Sequence, residues 1–392
     1  MRKFPDEFLW GAATSAYQVE GGNVLSDWWR IERMPGAPLE RSGDAVDHYH
    51  RYAEDMGLLA GAGLSAYRFS IEWARLEPDE GEFSRAELLH YRRMIDTALT
   101  LGLTPVVTLH HFTLPAWLAA QGGWRAPGSL DAFARYVAFV SEILVDVEWV
   151  CTINEPNIAA LMAGAAEHAM GGEFDGTLPT PDLAFGEILA VAHARARTEV
   201  KARTQAKVGW TVAQQALVPV PGAEEKFAEL SWAWEDFYLQ TARGDDFIGT
   251  QSYTSQTVSE KGIVPHPAHP DNTLTGWAYR PDALGIAVRR AHEVTQGTPI
   301  LVTENGIAIA DDTRRIAYTR TALTHLADAI ADGIDVRGYL HWSALDNYEW
   351  GHWGPTFGLI AVDRTTFERQ PKPSLAWLGD VARTAGASLE VA

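Results

Sequence analysis

Eight short apolar or aromatic runs, separated by longer amphipathic stretches, recur along the 392-residue chain. Most of them lack the strict alternation of apolar and polar residues shown by a strand with one solvated face, which predicts parallel strands buried on both faces. The runs cover residues 8–16, 65–71, 104–112, 149–154, 207–213, 246–253, 299–304 and 336–344.

The intervening stretches have helical periodicity. Apolar residues recur every three or four positions in 87–102, which ends in a glycine, and 183–201 has the same pattern with basic residues towards its end. Eight strand–helix alternations without a break in composition predict one (β/α)8 barrel domain over residues 1–392. The active site of such a barrel lies at the C-terminal face of its strands.

Three Gly/Pro-rich loops follow the predicted strands one, four and six. They cover residues 35–43, 171–182 and 262–276. In a barrel these loops belong to the C-terminal face, so we expect them to surround the active site.

The net charge of −19 argues against nucleic acid or an anionic membrane as a partner, because both require a basic surface. No apolar stretch approaches the ~20 residues of a membrane span. Asp6 and Glu7 interrupt the start where a signal peptide would be apolar, so we expect a cytoplasmic protein, with secretion by another route a minor alternative.

Cofactor and metal motifs are missing from the sequence. Cys151 is the single cysteine, and no HExxH accompanies the close histidine pairs, so we expect no metal site. No GxGxxG or P-loop opens a helix after a strand, so we expect no nucleotide cofactor.

Two glutamates end predicted strands four and seven: Glu155 in residues 152–156 and Glu304 in residues 302–306. Because barrel strands converge on one mouth, their side chains can face each other across it. Glycoside cleavage requires such a pair, one carboxyl to protonate the leaving oxygen and one to attack or activate water. A lone glutamate there is as often a polar rim residue, but two, each beside an asparagine (Asn154 and Asn305), favour the catalytic pair.

The chain resembles the family 1 glycoside hydrolases, the β-glucosidase and β-galactosidase group of (β/α)8 barrels, from residue 8 to residue 378. No single block is conclusive, but several follow one another in the family's order. They are FLWGAATSAYQVEGG, DHYHRYAEDM, AYRFSIEWARLEP, TLHHFTLPAWL, CTINEP, ILVTENG and GYLHWSALDNYEWG.

The resemblance implies a retaining double displacement. Glu304 would be the nucleophile, and Glu155 the acid and then the base, with a pKa raised to something like 6 by the neighbouring charge. Arg68 and Tyr253 are similar to the residues that contact the nucleophile and keep it ionised. The implied sugar-binding set consists of Gln18, His111, Asn154 and Glu349 on the hydroxyls, and Trp342 and Trp350 against the ring.

Fifteen tryptophans are many for this length. Five lie inside helix or strand patterns and are expected to pack: Trp10, Trp117, Trp149, Trp210 and Trp377. Five lie in predicted loops and are candidates for the aglycone side: Trp28, Trp29, Trp124, Trp277 and Trp353.

The chain departs from the family pattern at several points. Gln251 stands where Asn is usual, Phe112 where many members have Trp, and Thr356 where Arg is usual. The loops between strands four and six are short, from which we expect a more open aglycone side.

The resemblance favours a retaining exo-β-glycosidase of small β-glycosides, foremost a β-glucosidase with tolerance for β-galactosides or β-fucosides. A 6-phospho-β-glycosidase is disfavoured, because Glu349 would repel a phosphate. A thioglucosidase would lack Glu155. Transglycosylation stays open, as does a glycan-binding pseudoenzyme, although the latter should have lost one catalytic glutamate. The oligomeric state is not indicated.

Overall fold

A computed structural model describes residues 4–171 and 180–390 of the chain. Its central element is a closed barrel of eight parallel strands, seven of which lie within predicted runs, while the strand in the run 299–304 extends one residue past it. The strands are Leu9–Ala13 (β1), Ala66–Ser70 (β2), Thr104–His110 (β3), Trp149–Asn154 (β4), Lys207–Ala213 (β5), Ile248–Gln251 (β6), Ile300–Asn305 (β7) and Val336–Trp342 (β8). Each strand pairs with its neighbours in the chain, and β1 pairs with β8 to close the barrel, which confirms the predicted fold.

Helices fill the stretches between the strands. The α-helices are Ala16–Val19 (α1), Asp27–Ile31 (α2), His48–Ala62 (α3), Trp73–Leu76 (α4), Arg85–Thr100 (α5), Ala116–Ala120 (α6), Ser129–Val140 (α7), Pro156–Gly171 (α8), Leu183–Lys201 (α9), Glu224–Ser231 (α10), Phe237–Thr241 (α11), Ala283–Thr295 (α12), Asp312–Ala331 (α13) and Pro373–Arg383 (α14). A π-helical turn, Trp232–Asp236, joins α10 to α11. Short 3₁₀ turns occupy Gly123–Arg125, Ser141–Ile143 and Ala387–Glu390. The two helices predicted at 87–102 and 183–201 are α5 and α9.

Side-chain caps define where these two helices begin. The Ser84 hydroxyl accepts the N–H of Glu87 at 3.3 Å, and the Asp182 carboxylate accepts the N–H of Ala184 at 2.9 Å. Such caps satisfy N–H groups that have no partner inside the helix. The helices then bury their apolar faces against the strands, while the barrel interior is filled by small and branched side chains such as Ala66, Val106 and Leu301.

Two of the three loops predicted to surround the active site lie at the C-terminal ends of the strands. The loop 35–43 contacts the segment after β8, where the Glu40 N–H donates to the Gly351 carbonyl at 2.8 Å. The loop 262–276 is tied to the end of β7 by the Leu274 N–H, which donates to the Ala308 carbonyl at 2.9 Å. Most of the loop 171–182 lies outside the described residues.

Small strands complete the fold outside the barrel. Ile360–Val362 pairs antiparallel with Arg369–Pro371, and Thr257–Ser259 lies between Val218–Pro219 and Gly262–Ile263. Within the described part of the chain, no helix combines the length and the apolar character that crossing a bilayer requires.

Candidate active site

A pocket of about 790 Å³ opens at the C-terminal ends of the strands. Both candidate glutamates line it. The lining residues are Glu40, His111, Phe112, Glu155, Ile158, Met162, Ala213, Gln215, Tyr253, Leu274, Thr275, Trp277, Glu304, Trp342, Glu349, Trp350, His352, Gly354, Pro355 and Phe357. The other residues of the predicted site, Gln18, Arg68 and Asn154, are buried behind this surface and bond to it.

Glu304 lies near the end of β7 and is held by two donors. The Arg68 Nη1 donates to its Oε1 at 2.5 Å, and the Tyr253 hydroxyl donates to its Oε2. Burial raises the pKa of Glu304, whereas Arg68 and Tyr253 lower it. The two donors therefore stabilise the charged form of a carboxylate that burial alone would neutralise.

Glu155 follows β4 directly and has the opposite environment. Its backbone is in the left-handed region, with φ 44°, and its N–H donates to the Thr211 carbonyl at 2.8 Å. Among the residues that the structure describes, none hydrogen-bonds to its carboxyl group. Burial raises the pKa of Glu155 well above its usual value, and the negative charge of Glu304 raises it further. This carboxyl group therefore keeps its proton when Glu304 is ionised.

Asn154 connects the buried groups below the two glutamates. Its Oδ1 accepts from Arg68 Nη2 at 2.6 Å, from Gln251 Nε2 at 3.0 Å and from Thr211 Oγ1 at 3.0 Å. Because Oδ1 faces these donors, Nδ2 faces His111 Nε2, 3.1 Å away. The amide orientation of Asn154 is thus fixed by its surroundings.

The surroundings of His111 favour its neutral form. Burial lowers the pKa of His111 well below its usual value, and Arg68 lowers it further. Since Nε2 accepts from Asn154, the ring proton lies on Nδ1, which is buried without a partner among the described residues. The ring is nearly parallel to those of Trp342 and Trp350, each with its centroid 6.0 Å away.

Glu349 lies in the loop after β8 and accepts three hydrogen bonds. The donors are Trp342 Nε1 at 3.1 Å, Gln18 Nε2 at 3.1 Å and Asn347 Nδ2 at 3.2 Å. Burial raises the pKa of Glu349 to about 8 against the effect of these donors, and Glu304 adds to the rise. Sequence reasoning missed Asn347, although it stands two residues before Glu349 in the same block.

The expectation for the tryptophans holds for the packing set and for one of the five aglycone candidates. The five expected to pack do so: Trp10, Trp149 and Trp210 are buried in the core, while Trp117 and Trp377 lie against it. Of the aglycone candidates only Trp277 lines the pocket; Trp28 packs edge-on against Trp350, Trp29 lies under Arg33, and Trp353 packs on Tyr348. The expectation for Trp124 was wrong, because its 3₁₀ turn folds the indole into the core against Trp73 and Phe133.

The departures from the family pattern have defined positions. Gln251, which stands where Asn is usual, donates from Nε2 to Asn154 Oδ1 at 3.0 Å. Phe112 lines the pocket in the left-handed region, at φ 68°, with its ring edge-on to Trp350. The Thr356 hydroxyl donates to the Ile309 carbonyl at 3.2 Å and contributes to the loop structure.

Several lining residues were not singled out from the sequence. Ile158 and Met162 lie four residues apart on α8, a spacing that places them on one helical face. This spacing, just after Glu155, could have indicated from the sequence that they line the pocket. Gln215 and Phe357 come from loops without a comparable pattern. The described residues contain no group of three or more His, Cys, Asp or Glu side chains placed to hold a metal ion.

Comparison with known proteins gives consistent matches. The model of Glycosyl hydrolase family 1 matches residues 1–265 and 238–387. The chain is 32% identical to thermostable beta-glucosidase B of Thermobispora bispora over 98% of this chain and 91% of that protein. It is 31% identical to a bifunctional beta-D-glucosidase/beta-D-fucosidase of Bifidobacterium breve, over 95% of this chain and 97% of that protein.

A solved structure gives the same result. That of beta-glycosidase BGL167 superposes with a TM-score of 0.88 at 44% identity, covering 97% of each chain. The alignment with the Thermobispora bispora protein extends over 443 positions, more than the 392 residues of this chain, so the relative has insertions that this chain lacks.

Proposed function

The chain belongs to glycosyl hydrolase family 1, and we propose that it removes terminal β-D-glucosyl residues from small glucosides through Glu304 and Glu155. Family membership and the β-glucosidase relatives identify the chain as a retaining exo-β-glycosidase. The assignment of roles to individual residues is our proposal. We also propose that residues 1–392 form a single catalytic domain.

The observation that supports the roles is the asymmetry between the two glutamates. Glu304 accepts hydrogen bonds from Arg68 and Tyr253, which suits a nucleophile that must be ionised. The carboxyl group of Glu155 has no such donor among the described residues, and its pKa is raised, which suits a group that must supply a proton.

The charge coupling between the glutamates gives the order of events. Glu304 attacks the anomeric carbon while Glu155 transfers its proton to the departing oxygen. The bond between the anomeric carbon and that oxygen breaks. The glycosyl-enzyme ester removes the charge of Glu304, so the pKa of Glu155 falls. Glu155 then takes a proton from water, which attacks the anomeric carbon and releases Glu304.

The buried polar groups are proposed to bind the terminal sugar. His111 lines the pocket beside the two indoles, and Glu349 supplies an acceptor that three donors already orient. Trp342 and Trp350 offer aromatic surface to the C–H faces of the ring. Asn154 bonds His111, and Gln18 bonds Glu349, so these two buried amides help to hold the sugar-binding groups in place.

A glucoside is the first substrate to test, with a fucoside second. The fucosidase activity in the name of the Bifidobacterium breve relative supports tolerance at the 6-position. A 6-phosphoglucoside is disfavoured, because Glu40, Glu155, Glu304 and Glu349 line the pocket and the described lining contains no lysine or arginine to bind a phosphate.

The test is a panel of 4-nitrophenyl β-glycosides with glucose, galactose, fucose and 6-phosphoglucose. We expect the highest kcat/KM on the glucoside, retention of the β configuration in the first product by NMR, and no hydrolysis by Glu304→Gln. Hydrolysis with inversion would contradict the double displacement. Inactivity of the wild-type chain on every glycoside would instead support the pseudoenzyme alternative.

A further inference from the structure

The proposed acid, Glu155, depends on its backbone for its position. Its carboxyl group has no hydrogen-bond partner among the described residues, whereas side-chain donors hold Glu304. The backbone of Glu155 has φ 44°, a left-handed conformation that is unfavourable for a residue with a Cβ and persists only where the surroundings hold it. Its carbonyl accepts the N–H groups of Ile158 and Ala159, both at 3.0 Å. Whatever fixes the first turn of α8 therefore also fixes the acid.

Asn157 lies in that first turn and is fully buried. Its Nδ2 donates to the Ala213 carbonyl at 2.6 Å and to the Trp234 carbonyl at 2.8 Å, and its Oδ1 accepts from the Ala213 N–H at 3.3 Å. Because carbonyls only accept, the orientation of this amide is fixed. Asn157 does not line the pocket, so it does not contact a substrate bound there. Its side chain joins the start of α8 to the end of β5 and to the turn between α10 and α11.

That turn, Trp232–Asp236, is π-helical, a geometry that is frequent at functional sites. It makes two bonds towards the active site. The Trp234 carbonyl accepts from Asn157, and the buried Glu235 carboxylate accepts from the Gln215 N–H at 2.7 Å. The turn therefore holds both the start of α8 and the residues that follow β5.

The acid is held to β5 on both of its sides. The N–H of Glu155 donates to the Thr211 carbonyl at 2.8 Å, and two residues later Asn157 binds Ala213, the last residue of the same strand. A general acid must lie within hydrogen-bond reach, about 2.6–3.2 Å, of the oxygen that it protonates. Loss of the Asn157 amide would release the second of these attachments and let the carboxyl group move away from that oxygen.

We propose, resting on the proposed role of Glu155, that Asn157 is a positioning residue for the acid. Its amide binds β5 and the π-helical turn, and thereby places the Glu155 carboxyl group at the leaving oxygen. The consequence is specific, because only leaving groups that need a proton depend on this placement.

The first experiment compares phenyl and 2,4-dinitrophenyl β-D-glucoside, two aryl substrates whose leaving oxygens differ in their need for a proton. In Asn157→Ala, kcat/KM on the phenyl glucoside should fall about 10- to 100-fold, because a small displacement removes much of the effect of an acid. On the dinitrophenyl glucoside kcat/KM should fall less than about threefold, because that leaving group departs unprotonated. An equal fall on both substrates would indicate a merely structural role and overturn the inference.

Asn305→Ala is the matched comparison. Asn305 is also fully buried, follows the nucleophile Glu304 directly, and donates from Nδ2 to the Ser252 carbonyl at 2.7 Å. Because both glucosides need the nucleophile, this variant should lower kcat/KM on both by similar factors. If it instead spared the dinitrophenyl glucoside as Asn157→Ala does, the effect would not be specific to Asn157 and the inference would be overturned.

The second experiment tests whether Asn157 acts through Glu155. In a Glu155→Ala background, adding Asn157→Ala should change kcat/KM on the phenyl glucoside by less than about twofold, because the group to be positioned is absent. A further fall as large as that in the wild-type background would overturn the inference and leave the proposed function intact. If Glu155→Ala alone lost equally on both glucosides, the acid role would fail and the inference with it.

A second variant covers the case in which Asn157→Ala does not fold, as judged by circular dichroism. Asn157→Asp keeps the size of the side chain but not both N–H donors. It should show the same larger fall on the phenyl glucoside, and wild-type values on both substrates would overturn the inference.

Discussion

The floor of the pocket and its mouth are built from opposite kinds of side chain. The floor, formed by His111, Trp342 and Glu349 with Asn154 and Gln18 behind them, is a hydrogen-bonded network on or next to strand ends. The mouth, formed by Ile158 and Met162 of α8 and by Leu274 and Trp277 of the segment before α12, is apolar, and three of its four side chains are exposed.

This difference separates two kinds of recognition. Hydrogen bonds on the floor are directional, so they distinguish one sugar from another by the position of its hydroxyls. The mouth acts through apolar area, which tolerates different shapes and rewards size. The glutamates lie between the two regions, and the following variants test whether the regions act separately.

The largest effect is expected for Glu304→Gly. Loss of the nucleophile should lower kcat by about 10⁴-fold or more for every leaving group. Azide should enter the space left by the carboxylate and give the α-glucosyl azide, detected by NMR. Unchanged hydrolysis would refute the role of Glu304 as the nucleophile. The reaction centre would then not lie between the floor and the mouth.

Glu155→Ala is expected to lose about 10²- to 10⁴-fold on alkyl glucosides, whose leaving oxygen needs a proton. On an activated dinitrophenyl glucoside, the rate of the glycosylation step should fall much less in this variant. Added azide should yield the β-glucosyl azide. The wild type should lose kcat/KM at high pH as Glu155 deprotonates, and this basic limb should vanish in the variant. An equal loss on both substrates would contradict the acid role.

Glu349→Gln should lower kcat/KM about 10- to 100-fold, because it replaces an acceptor that three donors orient. The loss should be the same for methyl and octyl glucoside, since the change lies on the floor. A change in the ratio of kcat/KM for octyl to methyl glucoside would contradict the separation between the two regions.

Tyr253→Phe should have the smallest effect, about tenfold or less at neutral pH. The hydrogen bond from Tyr253 lowers the pKa of Glu304, so its loss raises that pKa. Because Glu304 acts in its charged form, the acidic limb of kcat/KM should move to higher pH. Tyr279→Phe, at a tyrosine outside the pocket lining, is the control whose limb should stay in place.

Much of the fold could be predicted because each barrel strand is buried on both faces and is therefore recognisable in the sequence as a short apolar run. Each of the eight runs coincides with one barrel strand, with one strand extending a single residue past its run, and Glu155 and Glu304 were identified as candidates from their positions at strand ends. Trp124 shows the limit of such reasoning. A loop position says nothing about where an indole points, and here the turn Gly123–Arg125 directs it into the core.

The sequence by itself determined the barrel and the catalytic residues at the ends of its strands, since these depend on local periodicity and on the blocks shared with a family. The tertiary structure decided the environment of each group. Glu155 and Glu304 are the same residue type at equivalent strand ends, and only their neighbours distinguish them: Arg68 and Tyr253, distant in the chain, bond one and not the other. The apolar mouth is likewise a product of the tertiary structure, because Met162 and Trp277 are far apart in the chain and line the same pocket only once the barrel has closed.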